Sequence, residues 1–187
     1  ACHWVRQAVE RYYNDLDNAV EKGWYFDRQA AERAINFVER LRHVVGRWGG
    51  AYIVLEPWQC FILWNIFGWK MSATNTRRFT DAYVEVARKN GKSTLASAIA
   101  LYMEFADKEV GAEVYSVATT RDQARICFDY AQKMVRASDL KNYAVLTRDA
   151  IAFERLGATY KPLSSEANTL DGKNSHCVIV DEYHAHP

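Results

Sequence analysis

The spacing of apolar and polar positions predicts helices first and then an alternation of strands and helices. Apolar residues recur every three to four positions over residues 3–21 and 27–45, as they do on one face of a helix. Pro57 is placed to begin a further helix that runs through Phe67. Beyond it, β-branched runs alternate with helical stretches, which is typical of a mainly parallel sheet flanked by helices. The predicted strands are 84–87, 113–118 and 177–180, and the predicted helices are 95–106 and 121–138.

Residues 143–163 depart from this alternation. Three β-favouring pieces within them, separated by turns such as the one at Gly157, predict an antiparallel meander at the edge of the sheet. The polar stretch 164–174 then leads into the last strand, and a loop of this length indicates either function or disorder.

Composition and charge indicate one globular domain. The chain has 187 residues, of which 49% are hydrophobic, and this is enough for one domain with a real core. Its 24 basic and 23 acidic residues give a formal charge of +1, so any contact with nucleic acid must come from a local patch. No apolar stretch approaches the roughly 18 residues of a membrane-spanning helix, and no signal peptide is visible. We therefore expect a cytoplasmic protein without a membrane contact and, since the initiator Met is absent, a fragment or processed product.

The cysteines and histidines give little support to a disulfide framework or a transition-metal site. The cysteines lie far apart and contain no C-x-x-C pair, which favours reduced, mostly buried thiols. His184 and His186 are alternate residues that could share one face of a strand, but a metal would need further ligands. We expect them to be loop histidines. The four cysteines are Cys2, Cys60, Cys127 and Cys177.

The stretch from Val84 to Thr94 combines a short strand, a polar turn and the start of a helix. In such a loop the backbone N–H groups point at one place, where a phosphate chain can bind. Lys92 would contact the β- and γ-phosphates, and the Ser93 hydroxyl would bind Mg²⁺. The pattern G-x-x-x-x-G-K-[ST] is incomplete, because Val86 stands where its first glycine would be. By itself the loop is equally consistent with an ordinary helix N-terminus that carries a solvated lysine.

A second motif follows near the end of the chain, where the apolar run 177–180 ends in Asp181 and Glu182. A buried strand of a parallel sheet has this composition, and ligands bind at the carboxyl ends of such strands. Asp181 would bind Mg²⁺, and Glu182 would orient or deprotonate the water that attacks a nucleotide. The alternative is a strand that merely ends in two solvated acids, but a phosphate loop upstream favours the hydrolytic interpretation.

These motifs, in their order and spacing, resemble the N-terminal ATPase region of the large terminase subunit of tailed double-stranded DNA phages. The resemblance covers most of the chain. In that family the first glycine of the phosphate loop is commonly missing and an arginine lies inside the loop, as Val86 and Arg88 do here. The blocks that carry the resemblance are Leu55-Glu56-Pro57-Trp58-Gln59, residues 85–93, residues 118–124, and residues 170–172 with 178–184.

The resemblance implies a fold, an activity and a set of partners. The fold is an α/β P-loop NTPase of the ASCE or RecA-like class, with a mainly parallel sheet that is incomplete at the C-terminus. Residues 1–48 would be an N-terminal helical extension, and residues 49–187 an ATPase core that ends soon after the Walker B strand, without the nuclease domain of the family. The implied activity is Mg²⁺-dependent ATP hydrolysis that drives double-stranded DNA into the procapsid. The implied partners are double-stranded DNA, the portal protein and the small terminase subunit, with the chain in a homo-oligomeric ring. The implied location is the host cytoplasm and, transiently, the procapsid portal.

The resemblance also implies roles for single residues. Lys92 would hold the β/γ-phosphates, Ser93 and Asp181 would bind Mg²⁺, and Glu182 would activate water. Gln59 offers the donor and acceptor that the edge of adenine requires, beside an aromatic face; without the resemblance, Gln59 would be interpreted as an ordinary surface residue. The predicted ATP-binding residues are Trp58, Gln59, Arg88, Lys89, Asn90, Gly91, Lys92, Ser93 and Thr94.

Arg88 adds a guanidinium to a loop that is already positive. Because it crowds Lys89 and Lys92, this charge is unfavourable unless an anion lies near it. We predict that Arg88 is an arginine finger in cis that contacts the γ-phosphate. The alternative is that it points outward, to an acid such as Glu85 or to DNA, and that a neighbouring subunit supplies the finger. The candidates for that subunit's arginine are Arg121, Arg125 and Arg136.

Two other functions remain open at this point. Residues 181–184 also fit the D-E-x-H box of superfamily-2 helicases and translocases, and residues 120–124 resemble their T-R-E-L-A block. Arg88 counts against a helicase, because helicases usually keep a glycine-rich loop at this place. The other alternative is a nucleotide-binding module that does not hydrolyse ATP in isolation.

Overall fold

Helices form where the hydrophobic periodicity predicts them, although two end early. The chain turns after Glu39 because the backbone of residues 41–43 pairs with residues 51–53: the Ile53 N–H donates to the Leu41 carbonyl oxygen at 2.9 Å. The first helix ends where the side-chain amide nitrogen of Asn18 donates to the Asn14 carbonyl oxygen at 2.6 Å. The helices are α1 (His3–Asp17), α2 (Arg28–Glu39), α3 (Pro57–Gly68), α4 (Lys92–Phe105) and α5 (Arg121–Arg136).

A computed structural model describes residues 2–164 and 175–183. The chain divides into two compact units, one within residues 1–36 and 55–85 and the other within residues 37–54 and 86–187. The predicted division at residues 48 and 49 follows a different boundary and stays a prediction. Within the described residues, no helix is long and apolar enough to cross a membrane.

The first unit contains α1, α3 and a small antiparallel sheet. Strand β1 (Trp24–Phe26) pairs with β2 (Trp69–Met71), and neither was predicted because three residues carry no period-two pattern. Gly68 is required where the two meet, since a Cβ atom there would lie 2.4 Å from the Phe26 ring. A buried ion pair between Asp15 and Arg78, with Nη1 and Oδ2 2.7 Å apart, ties the end of this unit to α1.

The second unit contains a five-stranded mixed sheet in the order β4-β5-β6-β3-β7. The central strand β3 is parallel to both neighbours, while β4, β5 and β6 form the predicted antiparallel meander. Helices α4 and α5 pack against each other and against the sheet, and their apolar faces bury Leu101 and Phe128. The unit is therefore an α/β fold. The strands are β3 (Glu113–Ala118), β4 (Val145–Leu146), β5 (Ile151–Phe153), β6 (Ala158–Ser164) and β7 (Ser175–Val180).

The structure corrects two predictions about strands. Residues 84–87 are not a strand, because a strand requires a hydrogen-bonded neighbour and no strand among the described residues pairs with 84–87. Strand β7 is not buried on both faces, since Val178 and Val180 are 41% and 43% exposed. Within the described residues it lies at the edge of the sheet, with β3 as its one neighbour. The predicted loop beyond Ser164, together with His184 and His186, lies outside the described residues.

Candidate active site

The predicted phosphate-binding loop is the turn before α4, and two of its residues have a positive φ angle. Gly91 is the N-cap of α4 and has φ of +77°, in the left-handed region that glycine adopts without strain. Lys89 also has a positive φ, of +67°, which is uncommon for a residue with a side chain. The Asn90 amide nitrogen donates to the carbonyl oxygens of Ala87 and Arg88, at 3.0 and 3.3 Å. The loop is therefore held in shape by its own residues.

Next to this loop, the first turn of α4 offers backbone N–H groups that have no acceptor within the helix. Lys92, Ser93 and Thr94 occupy that turn, and no side chain caps the helix N-terminus. The N–H groups of a first turn have no acceptor within the helix, and the helix dipole adds partial positive charge there. A chain of phosphate groups is the type of ligand that satisfies such a donor set.

The end of β7 brings the two acids to the same edge of the sheet as the tip of β3. The Asp181 N–H donates to the Val117 carbonyl oxygen at 3.1 Å, which extends the parallel ladder by one residue. The Glu182 N–H donates to Asp181 Oδ1 at 3.0 Å. Glu182 has φ of +50°, a conformation that costs a residue with a Cβ atom about 1 kcal/mol and is found at functional sites.

Lys92 and Glu182 meet at this edge, although they are far apart in sequence. Lys92 Nζ lies 3.7 Å from Glu182 Oε1, and the two side chains are 30% and 36% exposed. An ion pair this accessible to water stabilises a fold by about 1 kcal/mol or less. Its importance is geometric, since it shows that the lysine of the loop and the second acid of the strand reach the same point.

Asp181 also accepts a hydrogen bond from α5, a contact that the sequence did not reveal. The Cys127 thiol in α5 donates to Asp181 Oδ2 at 3.6 Å. Burial, together with the nearby Asp181 carboxylate, raises the pKa of this thiol to about 12, so it stays protonated and remains a donor. The Ser97 hydroxyl lies 2.6 Å from the Ser93 carbonyl oxygen and 2.8 Å from that of Cys127. These contacts link the first turn of α4, α5 and the end of β7.

The residues at this edge fit a nucleotide with Mg²⁺. The loop and the α4 N-terminus offer N–H donors and the Lys92 ammonium for phosphates, while Ser93 and Asp181 offer the hard oxygen ligands that Mg²⁺ prefers. Among residues 2–164 and 175–183 there is no group of three His, Cys, Asp or Glu side chains that could hold a metal. Mg²⁺ commonly needs one or two protein carboxylates besides substrate phosphates and water, so the donors present are sufficient.

The arginines differ in how they are engaged. Arg88 is exposed, and its guanidinium makes no hydrogen bond or ion pair with the described part of the chain. Arg125 pairs with Asp149 at 2.7 Å and with Asp129 at 3.4 Å. An Arg125 finger directed at another subunit would have to break these pairs. The finger role of Arg88 stays a prediction.

Gln59 has a structural contact of its own in the first unit. Its amide oxygen accepts a hydrogen bond from the Glu56 N–H at 2.9 Å, which caps the start of α3. The amide nitrogen is then the group that could meet a base, so one of the two contacts expected with adenine is already occupied. Trp58, also in this first turn, is half-buried. Adenine recognition by Trp58 and Gln59 stays a prediction.

Comparison with known proteins identifies the family. Residues 57–187 match the family described as "Terminase large subunit, ATPase domain". The crystal structure of the HK97 bacteriophage large terminase is similar, with 26% sequence identity and a TM-score of 0.66. The match covers 80% of this chain and 30% of the HK97 chain, so the chain spans less than a third of that terminase. No curated protein sequence matches. The fold, the site and the family match lead to one conclusion: the chain belongs to the family of terminase large subunit ATPase domains, with a P-loop α/β fold.

Proposed function

We propose that the chain is the Mg²⁺-dependent ATP-hydrolysing part of a phage large terminase, which drives double-stranded DNA into the procapsid. Its partners would be double-stranded DNA, the portal protein and the small terminase subunit, and it would act as a homo-oligomeric ring. It would be located in the host cytoplasm and transiently at the portal. The family match supports a terminase over a superfamily-2 helicase.

One observation carries the catalytic part of this proposal. The lysine at the N-terminus of α4 and the acid after β7 lie 3.7 Å apart, at the sheet edge where backbone donors also converge. Lys92 and the first-turn N–H groups would bind the β- and γ-phosphates, and Ser93 with Asp181 would hold Mg²⁺. Bound Mg²⁺ would neutralise charge on the phosphates. Glu182 would orient or deprotonate the attacking water.

Equilibrium binding of a fluorescent ATP analogue tests the assignment of Lys92. Lys92→Ala removes the ammonium that neutralises the phosphates, and we expect affinity to fall at least tenfold, which is about 1.4 kcal/mol. Lys133→Ala is the control, because it removes an equal charge from an exposed position outside the loop. Equal affinities for wild type and Lys92→Ala would show that the loop does not bind nucleotide in the proposed way.

A further inference from the structure

A concave site of about 240 Å³ lies in the second unit, and none of its lining residues belongs to the phosphate loop. It is formed by the segment that follows α2 and by the C-terminal end of α5 with the short 3-10 helix Asp139–Asn142. The side chains that determine its character are Arg40, Arg42, Arg136, Lys141, Asp139 and Tyr52. We call this site the basic pocket.

The charge of the basic pocket is unbalanced. Four cationic side chains line it, and Asp139 is its one acid. None of the four cations forms an ion pair with another residue in the described ranges 2–164 and 175–183. In a chain with a formal charge of +1, this is a local concentration of positive charge and a candidate anion site.

Two of its guanidinium groups are held in place by neutral partners. Arg42 Nη1 donates to the Gly50 carbonyl oxygen at 2.7 Å, and its guanidinium carbon lies 4.1 Å from the centre of the Tyr52 ring. Arg136 Nη2 donates to Gln132 Oε1 at 3.3 Å. A guanidinium has five N–H donors, so each group retains donors for a ligand while its position is fixed.

A simpler explanation accounts for only part of this arrangement. A cation in the last turn of a helix is stabilised by the helix dipole, and Arg136 lies in the last turn of α5. Arg40 and Arg42 come from a different segment, and Lys141 lies beyond the helix end. The dipole of α5 therefore does not explain why they line the same pocket.

We propose that the basic pocket binds backbone phosphates of double-stranded DNA. Planar guanidinium groups match the geometry of phosphate oxygens, and contacts to phosphates hold a duplex without reading its sequence. A near-neutral chain needs a local patch of this kind to bind nucleic acid. The proposal rests on the proposed function, which makes DNA the partner, and it assigns a surface for that partner outside the nucleotide site.

Charge reversal at two exposed positions tests the proposal. Arg40→Glu with Lys141→Glu should leave the fold intact, because both side chains are exposed and neither forms an ion pair within the described residues. The matched control, Lys108→Glu with Arg155→Glu, makes the same change in net charge at exposed positions outside the pocket. Binding of a labelled duplex is followed by fluorescence anisotropy between about 50 and 200 mM salt.

We expect the affinity of the pocket variant for the duplex to fall by about tenfold or more. The slope of log K against log salt concentration should become shallower by about 2, since each neutralised phosphate contributes about 0.9 to it. The control pair should change affinity less than about threefold. An equal loss in both variants, or no loss in the pocket variant, overturns the proposal. So does the absence of duplex binding by the unmodified chain.

A further arm separates DNA from free polyphosphate. Inorganic triphosphate is titrated calorimetrically into Lys92→Ala protein, with and without the two pocket substitutions. If triphosphate binding requires the pocket while duplex binding does not, the pocket holds free polyphosphate and the proposal is wrong. Binding of the ATP analogue is measured on the two pocket substitutions with Lys92 in place, and its affinity should equal that of the unmodified chain. Failure of the nucleotide assignment would therefore appear in that assay, and failure of the DNA assignment in the anisotropy.

Discussion

Glu104 in α4 provides a test of how the helix that carries the phosphate loop is packed. Its side chain is 0% exposed, and neither carboxyl oxygen has a hydrogen-bond partner among the residues that the structure describes. Burial raises the pKa of this carboxyl from 4.5 to about 9, so the group is protonated and neutral at pH 7. Folding at neutral pH therefore requires Glu104 to take up a proton that the unfolded chain has released.

The direction and size of the effect follow from this pKa. Between pH 4.5 and about 9 the folded state binds a proton that the unfolded state does not, so the free energy of unfolding falls as pH rises. Below this range Glu104 is protonated in both the folded and the unfolded state, and its titration no longer lowers the free energy of unfolding. One pH unit corresponds to about 1.4 kcal/mol, so the full range amounts to several kcal/mol. That is a large share of the stability of a domain.

Glu104→Gln is the perturbation, because the amide has nearly the same shape and cannot ionise. Urea unfolding of wild type and variant at pH 5 and pH 8 measures the difference in stability. We expect the free energy of unfolding of the variant, relative to that of wild type, to increase by about 1 kcal/mol for each unit by which the pH rises. Glu109→Gln, at an exposed position, is the control, and its free energy of unfolding should change with pH as that of wild type does. Parallel pH profiles for wild type and Glu104→Gln would show that Glu104 is not a buried, protonated carboxyl at neutral pH.

Two further predictions concern the site itself. Arg88→Ala should lower kcat for ATP hydrolysis by a hundredfold or more, about 3 kcal/mol, with little change in KM, and Arg88→Lys should restore little. Steady-state kinetics checks this, and an effect confined to DNA-stimulated turnover would rule out the finger. Cys127→Ala should raise the Mg²⁺ concentration needed for half-maximal hydrolysis severalfold, because Asp181 loses a donor, whereas Cys127→Ser should restore it. An unchanged Mg²⁺ requirement in Cys127→Ala would remove Cys127 from the site.

Features that depend on local sequence could be predicted. The helix over 92–105 needs only its own periodicity and the glycine before it, and the pair Asp181 and Glu182 needs only a strand before them. The meander was visible for the same reason, since adjacent strands and their turns are contiguous in sequence. The position of Lys92 at the start of a helix and of Asp181 directly after a strand therefore followed from patterns of a few residues.

Features that depend on distant partners could not be predicted. Residues 84–87 have strand-like composition, but a strand requires a neighbour, and no short pattern in the sequence shows whether another strand lies beside them. The end of α2 is set by pairing with residues 51–53, which periodicity does not show. The contact of Cys127 with Asp181 joins residues 54 positions apart, and a single apolar-looking cysteine on a helix gives no signal of it.

The substitution Glu182→Gln separates the two proposed roles, nucleotide binding by Lys92 and water activation by Glu182. The measurement is phosphate release at saturating MgATP, made beside equilibrium binding of the same nucleotide. Because the amide keeps the shape of the side chain but cannot accept a proton, binding should stay within about threefold of wild type while turnover falls by at least about a hundredfold. Unchanged phosphate release in Glu182→Gln, with normal binding, would show that Glu182 does not activate the attacking water.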